Sequence, residues 1–526
     1  MTDRRFLTAW LLLIIVMLFI HLGGYPLLDA DEGRNGEVAR EMAATNDYVM
    51  PRLDGLPYLD KPVLFFAAAA ACMEVLGPTE TAARLPALLF TLATAAVLAW
   101  FARRVGIDWR ATAIVFLATP LTLAFSRIVI FDSALTLFIT IAIVGFFEAV
   151  GDRRPRLSSA VAWAAMGFGV ITKGPVALAI PLMIAVPYAI WRKRARVLIS
   201  ISALIAFVLV VAPWVWGITR AVPDFLHYVL FTETAERLTT GALKRTGPPW
   251  YFIPFLIGGA FPWCFAFFGQ RPTANGQPRW FERYLFLWIA FPLVFFSLSQ
   301  SKRPQYILPL MAPIALLVAW RWFDGRRASR ATAIASTAFG ILLLGAAFVN
   351  LRFEYADTAR VTAIGVGACA LAGGVIALAT RRNAIALAAL TLPVIAIPIA
   401  GNPLLNAIAI RRSAKALVAQ LPRADEVIGL QAFSGSMEFY LQRPIILVSP
   451  NGDEFTSNYL TRHYAQFATD GSTLRPFDWL PHAFDRGRAR LIIVRSNDSA
   501  NRAIAERSGA RLVVTGARFV AYTMPR

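Results

Sequence analysis

The sequence predicts an α-helical polytopic membrane protein of about thirteen transmembrane helices, followed by a C-terminal α/β domain. Three observations predict it. Hydrophobic residues make up 57% of the 526 and charged residues only 16%, where a soluble globular protein usually carries about a quarter. Apolar stretches of roughly spanning length recur along the first 401 residues. From about Asn402 the pattern changes to short β-type runs separated by polar, Gly- and Pro-containing turns.

The formal net charge of +20 suggests nucleic acid at first, but most arginines sit in short clusters between apolar segments. That is the arrangement of orientation signals, and no basic face alternates with aromatics over a soluble module. Nucleic acid is therefore excluded as a partner, and membrane lipid is the expected surrounding. Cys72, Cys264 and Cys369 all lie in apolar stretches and read as small core residues. No CxxC or His/Cys cluster signals a metal. The first apolar stretch follows Arg4 and Arg5 without a small-residue cleavage site, so it reads as a retained span.

In order, the spans fall at about 6–22, 83–101, 111–127, 133–150, 158–173, 176–191, 197–216, 251–269, 284–299, 304–320, 331–349, 361–380 and 384–401. A shorter apolar run, 63–76, is decided by the positive-inside rule. Without it, the clusters at Arg103/Arg104/Arg110, Arg153/Arg154/Arg156, Arg192/Lys193/Arg194/Arg196, Arg271/Arg279/Arg283, Arg321/Arg326/Arg327/Arg330 and Arg381/Arg382 all fall with the N-terminus in the cytoplasm. With it, every one falls outside. The run is therefore expected to be juxtamembrane or re-entrant, which protein or a wet cavity permits. The expected setting is a bacterial inner membrane, crossed many times, with residues 402–526 in the periplasm.

This topology puts five polar features on the outer side: the first loop 24–62, the Ser126–Asp132 turn, Thr172-Lys173-Gly174-Pro175, the long loop 217–250, and Ser301-Lys302-Arg303-Pro304-Gln305-Tyr306. The first loop carries eight carboxylates: Asp29, Asp31, Glu32, Glu37, Glu41, Asp47, Asp54 and Asp60. Carboxylates at a membrane are costly unless they line a wet cavity or do chemistry. Asp29, Asp31 and Glu32 read either as an exposed turn or as an active-site floor. Glu37 and Glu41 at helical spacing extend the loop into a short helix. Asp132 reads either as a helix N-terminal carboxylate or as a second carboxylate of the site. Lys61 and Lys173 read either as snorkelling anchors or as anion ligands.

Residues 1–401 are thus expected to be a transmembrane catalytic domain. In residues 402–526, strands are expected at Val427–Gln431, Ile445–Ser449, Arg490–Val494, Arg511–Thr515 and Phe519–Thr523, with a helix at Ala414–Leu421.

Asp31-Glu32-Gly33-Arg34, Asp47-Tyr48-x-x-Pro51-Arg52-Leu53-Asp54-Gly55-x-Pro57-Tyr58-x-Asp60-Lys61-Pro62, Ala83-Arg84-Leu85-Pro86, Thr172-Lys173-Gly174-Pro175 and Tyr306-Ile307-Leu308-Pro309 occur in this order. Together they resemble the 4-amino-4-deoxy-L-arabinose lipid A transferase family, bacterial relatives of protein O-mannosyltransferases among the C-type membrane glycosyltransferases. The resemblance implies that fold and a polyprenyl (undecaprenyl) phosphate-linked sugar as donor. It implies lipid A, or another envelope molecule such as a protein hydroxyl, as acceptor. It implies Asp31 as the main catalytic carboxylate, aided by Asp132, with Lys61, Arg237 and Tyr306 on the donor phosphate. Glu32, Arg34, Tyr58, Asp60, Lys173 and Lys302 are expected nearby. No cofactor is required, because cations and hydrogen bonds can release a phosphate without a metal; a structural divalent metal is left open. Two departures stand out: Asp60-Lys61-Pro62 where the family often has Glu-Lys-Pro, and Glu233-Thr234 where it often has Glu-His. The rival of another class is a transporter of polyprenyl-linked lipid, but the two related halves expected of one are absent from the sequence.

Overall fold

The computed structural model describes residues 3–151, 154–229, 247–268, 279–323, 326–349, 352–485 and 487–524. The chain divides into two compact units. One joins Met1–Leu22, Ala87–Arg220 and Leu230–Leu404; the other joins Gly23–Pro86, Ala221–Val229 and Leu405–Arg526.

The first unit is helical. Among the described residues, seven helices are long and apolar enough to cross a bilayer: Glu80–Arg104, Asp132–Val150, Ala195–Ala221, Trp280–Leu298, Ala328–Phe348, Ala356–Ala379 and Asn383–Ala400. The protein is thus a multi-pass membrane protein. Other expected spans are shorter or broken. The stretch 111–127 divides at Thr119–Pro120 into Trp109–Leu117 and Pro120–Phe125, since proline removes a helix donor and restricts the residue before it. The stretch 304–320 begins as a 3₁₀ turn, Pro304–Leu310, and becomes α-helical from Met311. In the second unit Leu64–Leu76, the run expected to be juxtamembrane or re-entrant, has 13 residues, roughly 20 Å at about 1.5 Å per residue, against a hydrocarbon core of about 30 Å.

Helices Arg326–Phe348 and Ala356–Ala379 approach through small residues. A Cβ at Gly340 would lie 2.4 Å from the Leu371 nitrogen, and Ser336 Oγ donates to the Ala370 carbonyl at 2.9 Å. Close backbone approach of this kind is how helices associate in lipid. Helix Asp132–Val150 is buried almost throughout and packs on Pro155–Lys173 and Val176–Trp191. Its first residue therefore has a rigid seat.

The second unit differs from the expected division at 401/402. Residues 23–86 and 221–229 fold with the C-terminal residues, because loop carboxylates find their donors there. The C-terminal part holds a six-stranded mixed sheet. Counting the loop hairpin β1 (Arg52–Leu53) and β2 (Leu56–Pro57) first, its strands are β3 (Glu426–Leu430), β4 (Ile446–Val448), β5 (Leu474–Arg475), β6 (Arg490–Arg495), β7 (Arg511–Thr515) and β8 (Phe519–Met524). The order is β5-β4-β3-β6-β8-β7. The first four are parallel, and β8 runs antiparallel to both β6 and β7. Ile428, Leu430, Val448, Ile492, Val494, Val520 and Tyr522 form its core. Five of these strands fall where the apolar runs put them; β5, two residues long, leaves no periodic signal. The helix expected at 414–421 is one turn, Lys415–Val418.

Candidate active site

In the second unit the acidic loop becomes helix Asp31–Thr45. Asp31 and Arg34 stand one turn apart, so their side chains share a face, and Arg34 Nη2 lies 2.8 Å from Asp31 Oδ1. The Asp31 side chain keeps 41% of its exposure, whereas Arg34 keeps 14%. Arg34 also donates to the Thr456 carbonyl at 3.1 Å and to the Thr456 hydroxyl, and lies 5.6 Å from the centre of the Tyr58 ring. The cation is thus locked by the C-terminal fold, while the carboxylate it orients stays open to solvent. A carboxylate so held can accept a hydroxyl proton.

Glu32, expected beside the substrate, is a structural group instead. Both its oxygens accept from Arg84, from Nε and Nη2 at 2.9 Å each. Its Oε2 also accepts from the Leu28 amide at 3.1 Å. Arg84 in turn donates to the Tyr25 and Pro26 carbonyls, and the two side chains are 2% and 0% exposed. Asp29 is likewise withdrawn from the acidic surface. It accepts from the Ser436 amide and hydroxyl and from Arg518, at 3.0, 2.7 and 2.7 Å. Burial pushes its carboxyl above the usual range, against the pull of Arg518.

Asp60 also faces protein. Oδ1 accepts from the Tyr228 hydroxyl at 2.8 Å and the Tyr459 amide at 3.1 Å, and Oδ2 from the Asn458 amide at 3.0 Å. Its role is to join the loop to residues 457–459, leaving it no evident oxygen for substrate. Lys61 donates to the Asp60 carbonyl. Tyr58 is buried, its amide on the Pro51 carbonyl at 2.8 Å. Between them Asp54-Gly55 makes the hairpin turn with φ of 57° and 77°, the backbone that an Asp-Gly pair favours.

In the first unit Asp132 opens its helix but does not cap it: Phe131 holds the cap position, with no side-chain bond. The Asp132 carboxylate lies 2.5 Å from Lys173 Nζ, and Lys173 lies 4.9 Å from the centre of the Tyr306 ring. Three residues from distant parts of the sequence thus form one cluster. Lys173 is already neutralised by Asp132, which leaves less charge for a separate anion. Lys302 is buried and donates to the Ser297 and Ser299 carbonyls at 2.9 and 2.5 Å, closing the end of helix Arg279–Leu298. That makes it a helix cap rather than a substrate ligand. Arg237 and Thr234 lie outside the described residues.

Residues 44–229 match the family model described as dolichyl-phosphate-mannose-protein mannosyltransferase. An undecaprenyl phosphate-alpha-4-amino-4-deoxy-L-arabinose arabinosyl transferase of Erwinia tasmaniensis is 32% identical over 363 residues, 65% of this chain and 64% of the relative. The enzyme of that description from Yersinia enterocolitica is 30% identical over 387 residues, 68% of each chain. The chain belongs to this arabinosyl transferase family. It spans 64% of the Erwinia relative's length and 65% of that of an Aeromonas salmonicida relative. The fold is that of the family too: the crystal structure of ArnT from Cupriavidus metallidurans bound to undecaprenyl phosphate superposes with a TM-score of 0.82 at 22% identity, covering 99% of this chain and 97% of that one.

Thr456, Ser436, Arg518 and Tyr228 are the site-building residues that the sequence did not single out. Arg84 stood in one of the quoted motifs, but its pairing with Glu32 was not legible there.

Proposed function

We propose that this member of the arabinosyl transferase family moves 4-amino-4-deoxy-L-arabinose, or a closely related sugar, from undecaprenyl phosphate to lipid A or another envelope acceptor. The carrying observation is Asp31: a half-open carboxylate fixed by a part-buried arginine, in the loop whose motif resembles the family's. Asp31 takes the proton of the acceptor hydroxyl. The freed oxygen forms a bond to the anomeric carbon, the bond from that carbon to the phosphate oxygen breaks, and the configuration inverts. Undecaprenyl phosphate leaves with the electron pair, and positive charge steadies it. The roles of phosphate ligands fall to Lys61, Arg237 and Tyr306, and Asp132 with Lys173 aids. No cofactor enters this scheme.

Full-length protein incubated with radiolabelled undecaprenyl phosphate-linked aminoarabinose and lipid A should yield labelled lipid A. Absence of any labelled covalent product across lipid and protein acceptors would refute transfer and leave carrier movement. The mannosyltransferase family model over 44–229 favours a second reading, transfer to a protein hydroxyl, and a labelled protein in the same assay would support it.

Lys61→Ala should lower kcat/KM by an amount corresponding to about 2–4 kcal/mol, the scale of one lost oxyanion donor, with the thermal midpoint unchanged. Near-normal turnover by a folded Lys61→Ala protein would reduce Lys61 to an interfacial anchor.

The proposed orientation puts the N-terminus in the cytoplasm of a bacterial inner membrane and the second unit in the periplasm. In a background with Cys72, Cys264 and Cys369 replaced by serine, cysteines at the accessible positions Ala44 and Ser472 should react with an impermeant thiol reagent added outside. A cysteine at the exposed Ala195, in the Arg192–Arg196 cluster, should not. Labelling at 195 would reverse the assignment.

A further inference from the structure

Four carboxylates of the second unit gather in a largely buried cluster that the transfer chemistry does not use. Glu37 and Glu41 stand one turn apart on helix Asp31–Thr45, Asp54 lies in the hairpin turn, and Glu438 comes from helix Gly435–Leu441. Oxygens of Glu37, Glu41 and Glu438 all lie within 4.8 Å of one another. Asp54 and Glu438 are 0% and 1% exposed. The backbone holds the outer oxygens: the Gly55 amide donates to Glu41 Oε1 at 2.8 Å and the Ile445 amide to Asp54 Oδ1 at 2.9 Å.

The other oxygens, Glu41 Oε2, Asp54 Oδ2 and Glu438 Oε2, are buried without a hydrogen-bond donor. Buried acceptors left so are rare. Asp54 lies within hydrogen-bonding reach of Glu438 and feels the charges of Glu41 and Glu37, so it borders the same cluster. Two cations act on the group: Arg40 binds both oxygens of Glu37 at 2.8 and 2.5 Å, and Arg52, itself paired with Asp47, pulls on Glu41. Full ionisation would still leave most of the negative charge uncompensated. Burial answers this by pushing Glu37 up to about 7 and raising Asp54 and Glu438 well above the carboxylate range. A cation would answer it equally, and it would also satisfy the three bare oxygens.

We propose that Glu37, Glu41, Asp54 and Glu438 form a calcium site that ties the catalytic loop to the C-terminal fold. Only oxygen ligands are present, the set that hard cations take. Hydration selects among those cations. Magnesium usually keeps several waters and is bound by one or two carboxylates, whereas calcium takes about six to eight oxygens, carboxylates among them, in a flexible shell. A buried set of carboxylates with ligand oxygens within 4.8 Å of one another therefore suits calcium. The site lies one turn beyond Arg34 on the same helix, so its occupancy stiffens the segment that holds Asp31. This assignment does not depend on the sugar or the acceptor.

The test uses full-length protein in detergent, stripped with a chelating resin and titrated with Ca²⁺ alone. Radiolabelled Ca²⁺ should bind at one per chain, and saturation should raise the thermal midpoint by about 3 °C or more. Mg²⁺ at equal concentration should give less. Glu41→Gln and Glu438→Gln keep the size of the side chain and remove its charge, and each should weaken Ca²⁺ binding at least about tenfold. Should one variant fail to fold, the other and the wild-type titration still decide. A midpoint unmoved by millimolar Ca²⁺, or Ca²⁺ binding unchanged in a folded variant, would overturn the site. So would a Glu438→Gln protein that is more stable than wild type and binds no less Ca²⁺, since the pocket would then hold protons only.

Discussion

Asp31→Asn should lower turnover by at least about 100-fold, the scale of a lost general base, while binding of the polyprenyl-phosphate donor changes far less. Asparagine keeps the size and can still accept from Arg34, so the helix face is preserved. What goes is the base and its charge. The ion pair with Arg34 is part-exposed on the Asp31 side, where such pairs are worth about 0.2–1 kcal/mol, so the fold should survive. Arg34 itself stays seated, because Thr456 and the Tyr58 ring hold it independently. Product formation and donor affinity are to be measured on one preparation. An active Asp31→Asn protein would move the base elsewhere, with Asp132 next in line. Equal loss of affinity and turnover would make Asp31 part of the donor site and not the base.

Glu32→Ala should be the most destabilising change in the loop, by about 3–5 kcal/mol, the range for breaking a buried ion pair on one side. It strands the Arg84 guanidinium, which is 0% exposed, and frees the Leu28 amide. The double variant Glu32→Leu/Arg84→Met should regain much of that loss, because replacing a whole buried pair by apolar groups is often close to neutral. Denaturant midpoints of wild type, both single variants and the double variant would measure it. A loss under about 1 kcal/mol for Glu32→Ala would mean that water reaches Arg84 and the pair is a surface one.

These two neighbours show what could be read beforehand and what could not. Asp31 and Arg34 are one turn apart, a local relation that helical spacing encodes. Glu32 and Arg84 are joined across 52 positions, and Asp29 and Arg518 across 489. No periodicity encodes such pairs. Within the four residues 29–32, the Asp31 side chain stays open while those of Asp29 and Glu32 are buried. The C-terminal strands were legible because each is a short apolar run bounded by turns. The spans were legible as apolar mass, but prolines such as Pro120 and Pro309 interrupt their hydrogen bonding, so apolar length overstates helix length. Lys302 and Lys173 were legible as cations at one end of their spans. That one caps a helix and the other neutralises Asp132 depends on tertiary packing alone.

The bond from Arg518 to Asp29 has a consequence for synthesis. A ribosome adds roughly 5–20 residues per second, so the loop emerges about half a minute to a minute and a half before its last anchor exists. Every helix between them is made in that interval, while Asp29 waits in water as an ordinary acid. The acidic loop therefore waits for this anchor while everything between residues 29 and 518 is made. Until β8 arrives with Arg518 at its threshold, a nascent chain carries the motif without the machinery.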